Sequence, residues 1–440
     1  MQVTIIFNII WRFFYLMYTA RKIISFLVNQ LLFNQYSELL DAKTLRYTLM
    51  KMGCIWIKLG QWISERNDMF SQDYCSELKK LQASSKQHSY SYTKSIIEKT
   101  FGLDKIEYLG ENVIGCGSIA QTHECRMIDI PDRKLIVKVK HPWVTNEMKI
   151  DILIVKFIIR IMKLLPAVRN YHNIFLSNEI ETFLDYISTQ DDLNIETYHY
   201  HIFRDKFKKY SEFVVPDVIY SNSEIIIMDY IEGSTYTLLE EQSNKNNDFT
   251  QKIIALYFKM LLFDGILHGD IHGGNIINNN NKIGLIDVGL VVRLGKETAN
   301  TFCKLISSLS SNNINDMIES VVECSVIKPE LTSELIDEIK NSYDTFFRKT
   351  TVTSGIKYIE KDFFYNIFGR HGFVLNYKIQ HALLSYLLII GHCKEFYYEI
   401  QGGMQYLHDL EGTSKKEKKK ILDIKRMFCQ LSEHTEIQKN

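Results

Sequence analysis

The sequence has little proline and little glycine, and it carries no net charge. Only 5 of its 440 residues are proline and 21 are glycine, which favours long, uninterrupted helices because both residues break them. The 52 basic and 52 acidic side chains balance, and this argues against bulk nucleic-acid binding, which needs a basic surface. With 46% apolar residues, the chain can build a substantial core, and a disordered class is excluded.

Paired cysteines are also missing. The eight cysteines are scattered, no two form a CxxC pair, and none groups with histidines at the spacing of a zinc site. A disulfide framework is therefore excluded, and the cysteines are expected to be reduced and mostly buried. This usage favours a reducing, intracellular compartment.

Acidic residues are absent from residues 1–37, which hold many large apolar side chains and the basic residues Arg12, Arg21 and Lys22. Arg12 interrupts the apolar run, which does not fit a secretory signal. The longest uncharged stretch, 23–37, has 15 residues and four amides, whereas a membrane-spanning helix needs about 20 apolar residues. Two interpretations stay open. The segment packs on the main domain as helices, or it lies on an anionic membrane surface or serves as a transit sequence, such as a mitochondrial one.

The predicted secondary structure changes once along the chain, from helices to short strands. Residues 39–101 have the pattern of helices, while short strands and turns follow over 109–140, including a strand at Leu135–Val139. One long helix is predicted over 251–267, and only helices are predicted after Glu297. A small mixed lobe followed by a larger helical lobe is the outline of a protein kinase. The sequence therefore predicts an α+β fold with two lobes.

The sharpest motif is HGDIHGGN, which runs from His268 to Asn275 and is followed by Asp287 in IDVG. Asp270 and Asn275 are five residues apart, and Asp287 comes twelve residues later, after a predicted strand. In phosphoryl transfer, one carboxylate orients or deprotonates the nucleophile, while an amide oxygen and a second carboxylate hold magnesium against the phosphates. The spacing matches the HRD, Asn and DFG pattern of protein kinases. Each motif alone occurs by chance, but their order and spacing together favour catalysis over helix caps and a turn.

A kinase also needs a lysine on a strand to bind the nucleotide phosphates and a glutamate on a helix to hold that lysine. Lys138 is the natural candidate, and Lys140 shares its strand face as a rival. Glu196 is the matching glutamate. Asp192 lies one helical turn before it on the same face. Without the other motifs, a solvated acidic face would be the better explanation of that pair.

A loop of small residues stands ahead of this strand. Gly115, Gly117 and Ser118 let backbone amides approach phosphates closely. We interpret the loop as the nucleotide-phosphate loop, although an ordinary turn can also contain two glycines.

Three further motifs carry a family resemblance. They are KLGQ at 58–61, SIAQTH at 118–123 and VKVKHP at 137–142. Together with HGDxHxxN, they make the sequence similar to the UbiB/AarF (ADCK-type) family of atypical kinase-like proteins, from about residue 41 to residue 295. An ordinary protein kinase has no KxGQ helix, so the combination is highly specific.

The resemblance implies a protein-kinase-like fold that binds ATP with magnesium and is linked to ubiquinone biosynthesis and membrane lipid homeostasis. It further implies that an N-terminal helical extension, which carries Lys58 and Gln61, packs over the active site and hinders access of a protein substrate. Lys138 and Glu196 would form an ion pair. The resemblance also assigns Asn275 and Asp287 as magnesium ligands. It places Asp270 at the position of the catalytic aspartate and Asp192 near the extension.

With this family in view, four segments are expected. They are an apolar, membrane-associated segment at 1–40, a helical extension at 41–108, an N-lobe with a helical insertion at 109–232 and a mostly helical C-lobe at 233–440.

The sequence departs from the family pattern at several positions. The family's ExD motif reads Gln190-Asp191-Asp192, so one carboxylate that serves the metal or the KxGQ helix has become an amide. Glycines 115 and 117 stand in a loop that is usually alanine-rich, and Val288 replaces the phenylalanine of DFG. The lysine, the glutamate and both magnesium ligands are retained, so nucleotide binding is predicted to survive.

Three functions are compatible with these residues. The first is an ATP- and magnesium-dependent atypical kinase or ATPase in ubiquinone or membrane-lipid metabolism, with a lipid or quinone precursor and a membrane surface as partners. The second is a catalytically silent, nucleotide-dependent scaffold for lipids or proteins. The third is a protein or small-molecule kinase of another pathway. Protein partners and a dimer stay open, and nucleic acid is not expected.

Overall fold

The structure is a computed structural model with a mixed α+β fold. It describes residues 2–23, 41–65, 72–83, 86–164, 187–236, 247–269, 273–310, 314–350 and 396–425, and the shorter stretches 25, 181, 184–185, 271, 367–368, 371–376, 378–379, 382–383 and 385–386. The chain divides into two compact units, the first formed by Met1–Thr197 with Val218–Tyr230 and the second by Tyr198–Asp217 with Ile231–Asn440. The four segments expected from the sequence stay a prediction.

Helices dominate the described residues, as the scarcity of proline predicts. They are α1 (Gln2–Thr19), α2 (Ala42–Met52), α3 (Cys54–Glu65), α4 (Gln72–Leu78), α5 (Tyr90–Thr100), α6 (Val144–Leu164), α7 (Leu193–Phe207), α8 (Asn247–Lys259), α9 (Gly295–Ser310), α10 (Ile314–Cys324), α11 (Ser333–Thr350) and α12 (Phe396–Asp409).

The strands are short and mostly antiparallel. They are β1 (Ile106–Cys116), β2 (Ala120–Met127), β3 (Leu135–Lys140), β4 (Phe213–Val214), β5 (Val218–Ser221), β6 (Ile225–Asp229), β7 (Ser234–Thr235), β8 (Ile266–His268), β9 (Ile276–Asn279), β10 (Lys282–Leu285), β11 (Val291–Arg293), β12 (Ser325–Ile327) and β13 (Val374–Leu375).

The first unit contains a five-stranded antiparallel sheet in the order β1-β2-β3-β6-β5. Its buried face carries alternate apolar residues such as Val137 and Val139, as the strand pattern predicts. Ile96 and Ile97 of α5 pack against this face. The sheet thereby fixes the position of β3, the strand on which the candidate lysine lies.

The same unit contains a layer of helices in which α1 packs against α2, α3 and α6. Leu16, Met52 and Ile154 form the buried centre of this contact. Gly60 lets α3 approach its neighbours, since a Cβ atom at this position would lie 2.3 Å from Leu81 Cδ1. A side chain at this position would therefore force the side chains of Leu81 and Leu49 to shift.

A buried ion pair attaches α1 to this layer. Arg12 Nε donates to Asp151 Oδ1 at 2.7 Å, and Arg12 Nη2 donates to Asp151 Oδ2 at 2.8 Å. The Trp56 indole donates to the same carboxylate at 2.9 Å, and the side chain of Asp151 is only 1% exposed. Gly53 has a φ of 108°, and a Cβ atom there would lie 2.6 Å from Glu147 Oε2, so only glycine leaves room for the cluster.

The outward side of α1 is apolar and aromatic. Phe7, Trp11, Phe14 and Tyr18 are each more than 60% exposed and follow one another at intervals of three or four residues, so they share one face of the helix. In the described part of the chain, no helix combines the length and the hydropathy that a membrane crossing requires.

The second unit combines helices with small sheets. β4, β10, β9 and β7 form a four-stranded sheet, and β8 pairs with β11. Asn280 and Asn281, both with positive φ, turn the chain between β9 and β10. This hairpin lies within the motif-bearing region, between HGDIHGGN and Asp287.

Two expectations from the sequence were wrong. The helix predicted over 251–267 ends at Lys259, because a π-helical turn at Met260–Asp264 and Gly265, in a left-handed conformation, stop it before β8. The region after Glu297 is not entirely helical, because the β-branched and apolar residues of Ser325–Ile327 pair with Val374–Leu375.

Replacement of Arg12 with Met should destabilise the protein by about 3–5 kcal/mol, because it leaves the buried Asp151 carboxylate without its cation. Urea unfolding measures the loss, and amide hydrogen exchange should show it concentrated in α1.

The double variant Arg12→Met/Asp151→Leu should recover much of this loss, since no buried charge is left. Arg21→Met, on an exposed side chain near the end of the same segment, is the matched control and should change stability by less than about 0.5 kcal/mol. Equal effects for Arg12→Met and Arg21→Met would contradict the anchoring role of the ion pair.

Candidate active site

The first unit pairs Lys138 with Glu196. Lys138 Nζ donates to both carboxylate oxygens of Glu196, at 2.7 and 2.8 Å, and both residues are buried. Glu196 lies in the first turn of α7, where the helix dipole favours a negative charge. The pair holds the ammonium group of Lys138, a residue within β3, in a fixed position, as a phosphate-binding lysine requires.

The rival lysine has a different partner. Lys140 Nζ donates to the carbonyl oxygen of Asp191 at 2.7 Å, and Thr145 Oγ1 donates to the carboxylate of Asp191. Asp192 accepts a hydrogen bond from the backbone N–H of Asn194, which starts α7. In the described residues, Asp191 and Asp192 therefore stabilise the segment that leads into α7. A contact of Asp192 with the KxGQ helix stays a prediction.

Gln190 is buried, and its side-chain oxygen has no hydrogen-bond partner in the part of the chain that the structure describes. An unpaired buried acceptor usually costs about 1–3 kcal/mol. A glutamate here would add the larger cost of a buried charge, so the amide is the better-tolerated residue where the family has a carboxylate.

The glycine loop connects β1 and β2. Gly117 N donates to Ala120 O at 2.9 Å and closes the turn, while a Cβ atom at Gly115 would lie 3.0 Å from Thr122 Oγ1. Ser118 is buried beside it, and its hydroxyl has no hydrogen-bond partner in the described residues. The loop is therefore tight.

Three histidines support this loop, and two of them, His123 and His141, belong to the motifs SIAQTH and VKVKHP. The carbonyl oxygen of Gly117 can only accept, so His141 donates to it from Nε2 at 3.1 Å, and a neutral His141 accepts at its Nδ1. His88 donates to that Nδ1 from its own Nδ1 at 2.7 Å, and Thr93 then donates to His88 Nε2. His123 donates from Nδ1 to Gly110 O and accepts from Gln121. Burial lowers the pKa of all three histidines, which favours these neutral forms.

In the second unit, α7 also positions the DVG motif. Asp287 has a φ of 53°, a conformation that few residues other than glycine adopt, and its backbone N–H donates to the Tyr200 hydroxyl at 3.0 Å. His199 Nδ1 donates to the carbonyl oxygen of Val288 at 2.9 Å. Burial lowers the pKa of His199, so this ring is neutral. These two residues follow Glu196 by three and four positions, a spacing that could have predicted a role for them.

Asn275 and Asp287 are joined through the backbone, because Ile286 N donates to Asn275 O at 3.0 Å. The side chain of Asn275 is buried, whereas Asp287 is exposed. Their oxygen atoms are the ligand type that magnesium prefers. Asp270 lies outside the described residues, and its position stays a prediction.

The KxGQ motif lies in α3, as predicted. Gln61 Nε2 donates to Leu81 O at 3.3 Å, within the helical layer of the first unit, and Lys58 is partly buried. A position of this helix over the active site stays a prediction, and so does the role of Lys58 and Gln61 there.

These features define the class of protein. The lysine–glutamate pair on a five-stranded sheet, the glycine loop and the DVG turn belong to a kinase-like domain. Residues 80–321, more than half of the chain, match the ABC1 atypical kinase-like domain. The chain belongs to this family, which confirms the resemblance to UbiB/AarF proteins.

Several curated relatives are similar. The probable serine/threonine-protein kinase abkC of Dictyostelium discoideum is 29% identical over 237 residues, which cover 52% of this chain and 34% of abkC. The mitochondrial ABC1 family protein C21C3.03 of Schizosaccharomyces pombe is 29% identical over 62% of this chain and 45% of its own. A probable protein kinase UbiB of Blochmanniella pennsylvanica is 28% identical over 60% of this chain and 50% of its own. The matches thus span a third to a half of these relatives.

Among solved structures, the Mycobacterium tuberculosis protein Rv3197, in complex with erythromycin, has a TM-score of 0.49 and 18% sequence identity. The match covers 76% of this chain and 87% of that one.

The histidine network makes stability depend on pH. Burial, with a smaller contribution from His141 and His123, lowers the pKa of His88 to about 4 from its ordinary 6.5. Above pH 6.5, the contribution of neutral His88 to the free energy of unfolding is fully present. As the pH falls from 6.5 towards 4, the unfolded chain binds a proton that the folded one does not, so the free energy of unfolding should decrease.

Urea unfolding at pH 7.5, 6 and 5 measures this slope, and His88→Gln should make it shallower. His201→Gln, which changes an exposed histidine on α7, should keep the wild-type slope. An unchanged slope in His88→Gln would exclude His88 as its source.

Proposed function

We propose that this chain binds ATP with magnesium and acts as an atypical kinase or ATPase of the UbiB type, in ubiquinone or membrane-lipid metabolism. The observation that carries the proposal is the buried contact between Lys138 and Glu196. Burying two charges is costly, and kinase-like proteins maintain such a pair to hold the lysine against nucleotide phosphates.

Each proposed role follows from the chemistry of a side chain. Lys138 neutralises phosphate charge, and Glu196 keeps its ammonium group in place. Gly115 and Gly117 leave room for the phosphates to approach the backbone of the loop. The family resemblance assigns Asp270 as the catalytic aspartate, and its proposed role is to orient the nucleophile.

Magnesium fits the donor set of the second unit. Asn275 offers an amide oxygen and Asp287 an exposed carboxylate, both hard donors. No group of three or more His, Cys, Asp or Glu side chains within the described ranges could hold a metal by itself, and two protein ligands completed by phosphate oxygens and water are the usual arrangement for magnesium. When bound, the ion neutralises charge that develops on the phosphates.

A membrane surface is the proposed location of this activity. The exposed aromatic face of α1 carries Trp11 and Tyr18, residue types that favour the boundary between lipid and water. Arg21 and Lys22 follow it, also exposed and able to attract anionic lipids. Two relatives are named mitochondrial, and a mitochondrial location is the corresponding proposal for this chain.

A catalytically silent scaffold is the second candidate. Gln190 supports it, because the family's carboxylate is replaced by an amide whose oxygen has no partner among the described residues. Transfer to a protein, as the name of abkC suggests for that relative, is the third candidate.

Magnesium-dependent ATP binding tests the proposal directly. ATP at a hundredfold excess over its dissociation constant stabilises the native state by about 2.7 kcal/mol, so the melting temperature of the wild type should rise by several degrees. Asp287→Asn should lose the magnesium-dependent part of this shift, and Lys138→Met should lose most of it.

Asp337→Asn, which changes an exposed aspartate on α11, should respond as the wild type does. A wild-type protein that is folded but shows no shift would rule out the nucleotide site. Where ATP binds, labelled γ-phosphate distinguishes the candidates. It appears in solution or on a lipid or quinone precursor for the proposed function, on protein for a protein kinase, and stays on ATP for a scaffold.

A further inference from the structure

The first unit contains a cavity beside α1. Its volume is about 820 Å³, and it lies between α1, the start of α3 and α6. Small-molecule sites usually measure about 300–1,000 Å³. Neither Lys138 nor Glu196 lines it, so it is distinct from the phosphate-binding pair.

The walls of the cavity are aromatic, and its charge is positive. Trp11, Tyr15 and Trp143 line it together with three cations and a single carboxylate, Glu147. One of the cations, Arg12, is neutralised by Asp151. The other two, Lys51 and Lys86, leave a positive surplus beside the aromatic rings.

Lys51 and Lys86 supply that surplus. Both are exposed at the edge of the cavity, and neither has an ion-pair partner within the described ranges. Lys86 Nζ lies 5.0 Å from the centre of the Trp143 ring. A cation next to an aromatic wall suits a ligand whose anionic group contacts the lysines while its apolar body contacts the rings.

The cavity is linked to the glycine loop through two contacts. The Trp143 ring stacks on the His141 ring, with centres 4.9 Å apart and planes 6° from parallel. His141 in turn donates to the carbonyl oxygen of Gly117 at 3.1 Å. Ser118 lines the cavity directly. A ligand that presses on Trp143 therefore restrains the loop that the proposed function assigns to nucleotide phosphates.

We propose that this cavity binds an amphiphilic anion, a molecule with an apolar body and one carboxylate or phosphate group, and that its binding tightens the binding of ATP. The occupied cavity holds Trp143 against His141, and His141 then fixes Gly117 in the conformation of the closed turn. Only the effect on ATP depends on the proposed function.

Binding is tested first, without nucleotide, by calorimetric titration of the full chain with dodecyl phosphate below its micellar concentration. One molecule should bind per chain, at least about tenfold more tightly than inorganic phosphate or neutral dodecyl maltoside. Equal binding of inorganic phosphate would reduce the site to a simple anion site, and equal binding of the maltoside would remove the role of the lysines. Either result overturns the proposal.

Matched variants locate the site. Asn146→Trp places a large ring at an exposed residue that lines the cavity and should abolish binding, whereas Leu153→Trp, exposed on the same helix but outside the cavity lining, should not. Lys51→Gln/Lys86→Gln should weaken binding at least about tenfold, and Lys43→Gln, exposed on α2, should not. Wild-type binding by Asn146→Trp would place the ligand elsewhere.

The effect on ATP is tested by measuring ATP affinity with and without saturating dodecyl phosphate. The wild type should bind ATP about fivefold more tightly with the anion, and ATP should tighten anion binding by the same factor, since coupling is reciprocal. Trp143→Leu should remove this effect. An unchanged ATP affinity overturns the coupling alone. A chain that binds no ATP overturns both the proposed function and the coupling, while the nucleotide-free titration still decides the cavity.

Discussion

The buried contact between Lys138 and Glu196 is the constraint on which the rest of the first unit depends. Two charges can stay in a place with little water only if each finds its partner at hydrogen-bond distance. β3 must therefore be held in a fixed position at Lys138, and α7 must begin opposite that residue. The sheet satisfies the first requirement. The residues just before α7 satisfy the second, because Asp191 holds Lys140 and Asp192 starts the helix.

The sequence alone predicted the parts of the structure that depend on local pattern. The strand that carries Lys138 and the helix that carries KxGQ were confirmed, since each repeats its apolar residues with the period of its element. The family was also predicted, because its motifs combine several rare residues at fixed spacing. The functional roles of these residues stay predictions.

Other features could not be read from local pattern. The residues of the π-helical turn at Met260–Asp264 continue the helical pattern of α8 in the sequence. The sequence pattern therefore does not show where α8 ends, and only tertiary packing reveals it. The histidine network joins residues separated by up to 53 positions, and hydrogen bonds between such distant side chains leave no periodic signal. The cavity is lined by residues from Asn8 to Ile150, and it exists only once α1 is attached by Arg12.

The conformation of Asp287 limits which residues evolution can place at this position. A positive φ is tolerated by glycine and, at modest cost, by asparagine and aspartate, while a branched or bulky side chain would force the turn open. Loss of the metal-binding carboxylate in a descendant protein would therefore leave asparagine or glycine here far more often than alanine or valine. A relative with asparagine in its DxG motif could have abandoned metal chemistry while keeping the same backbone.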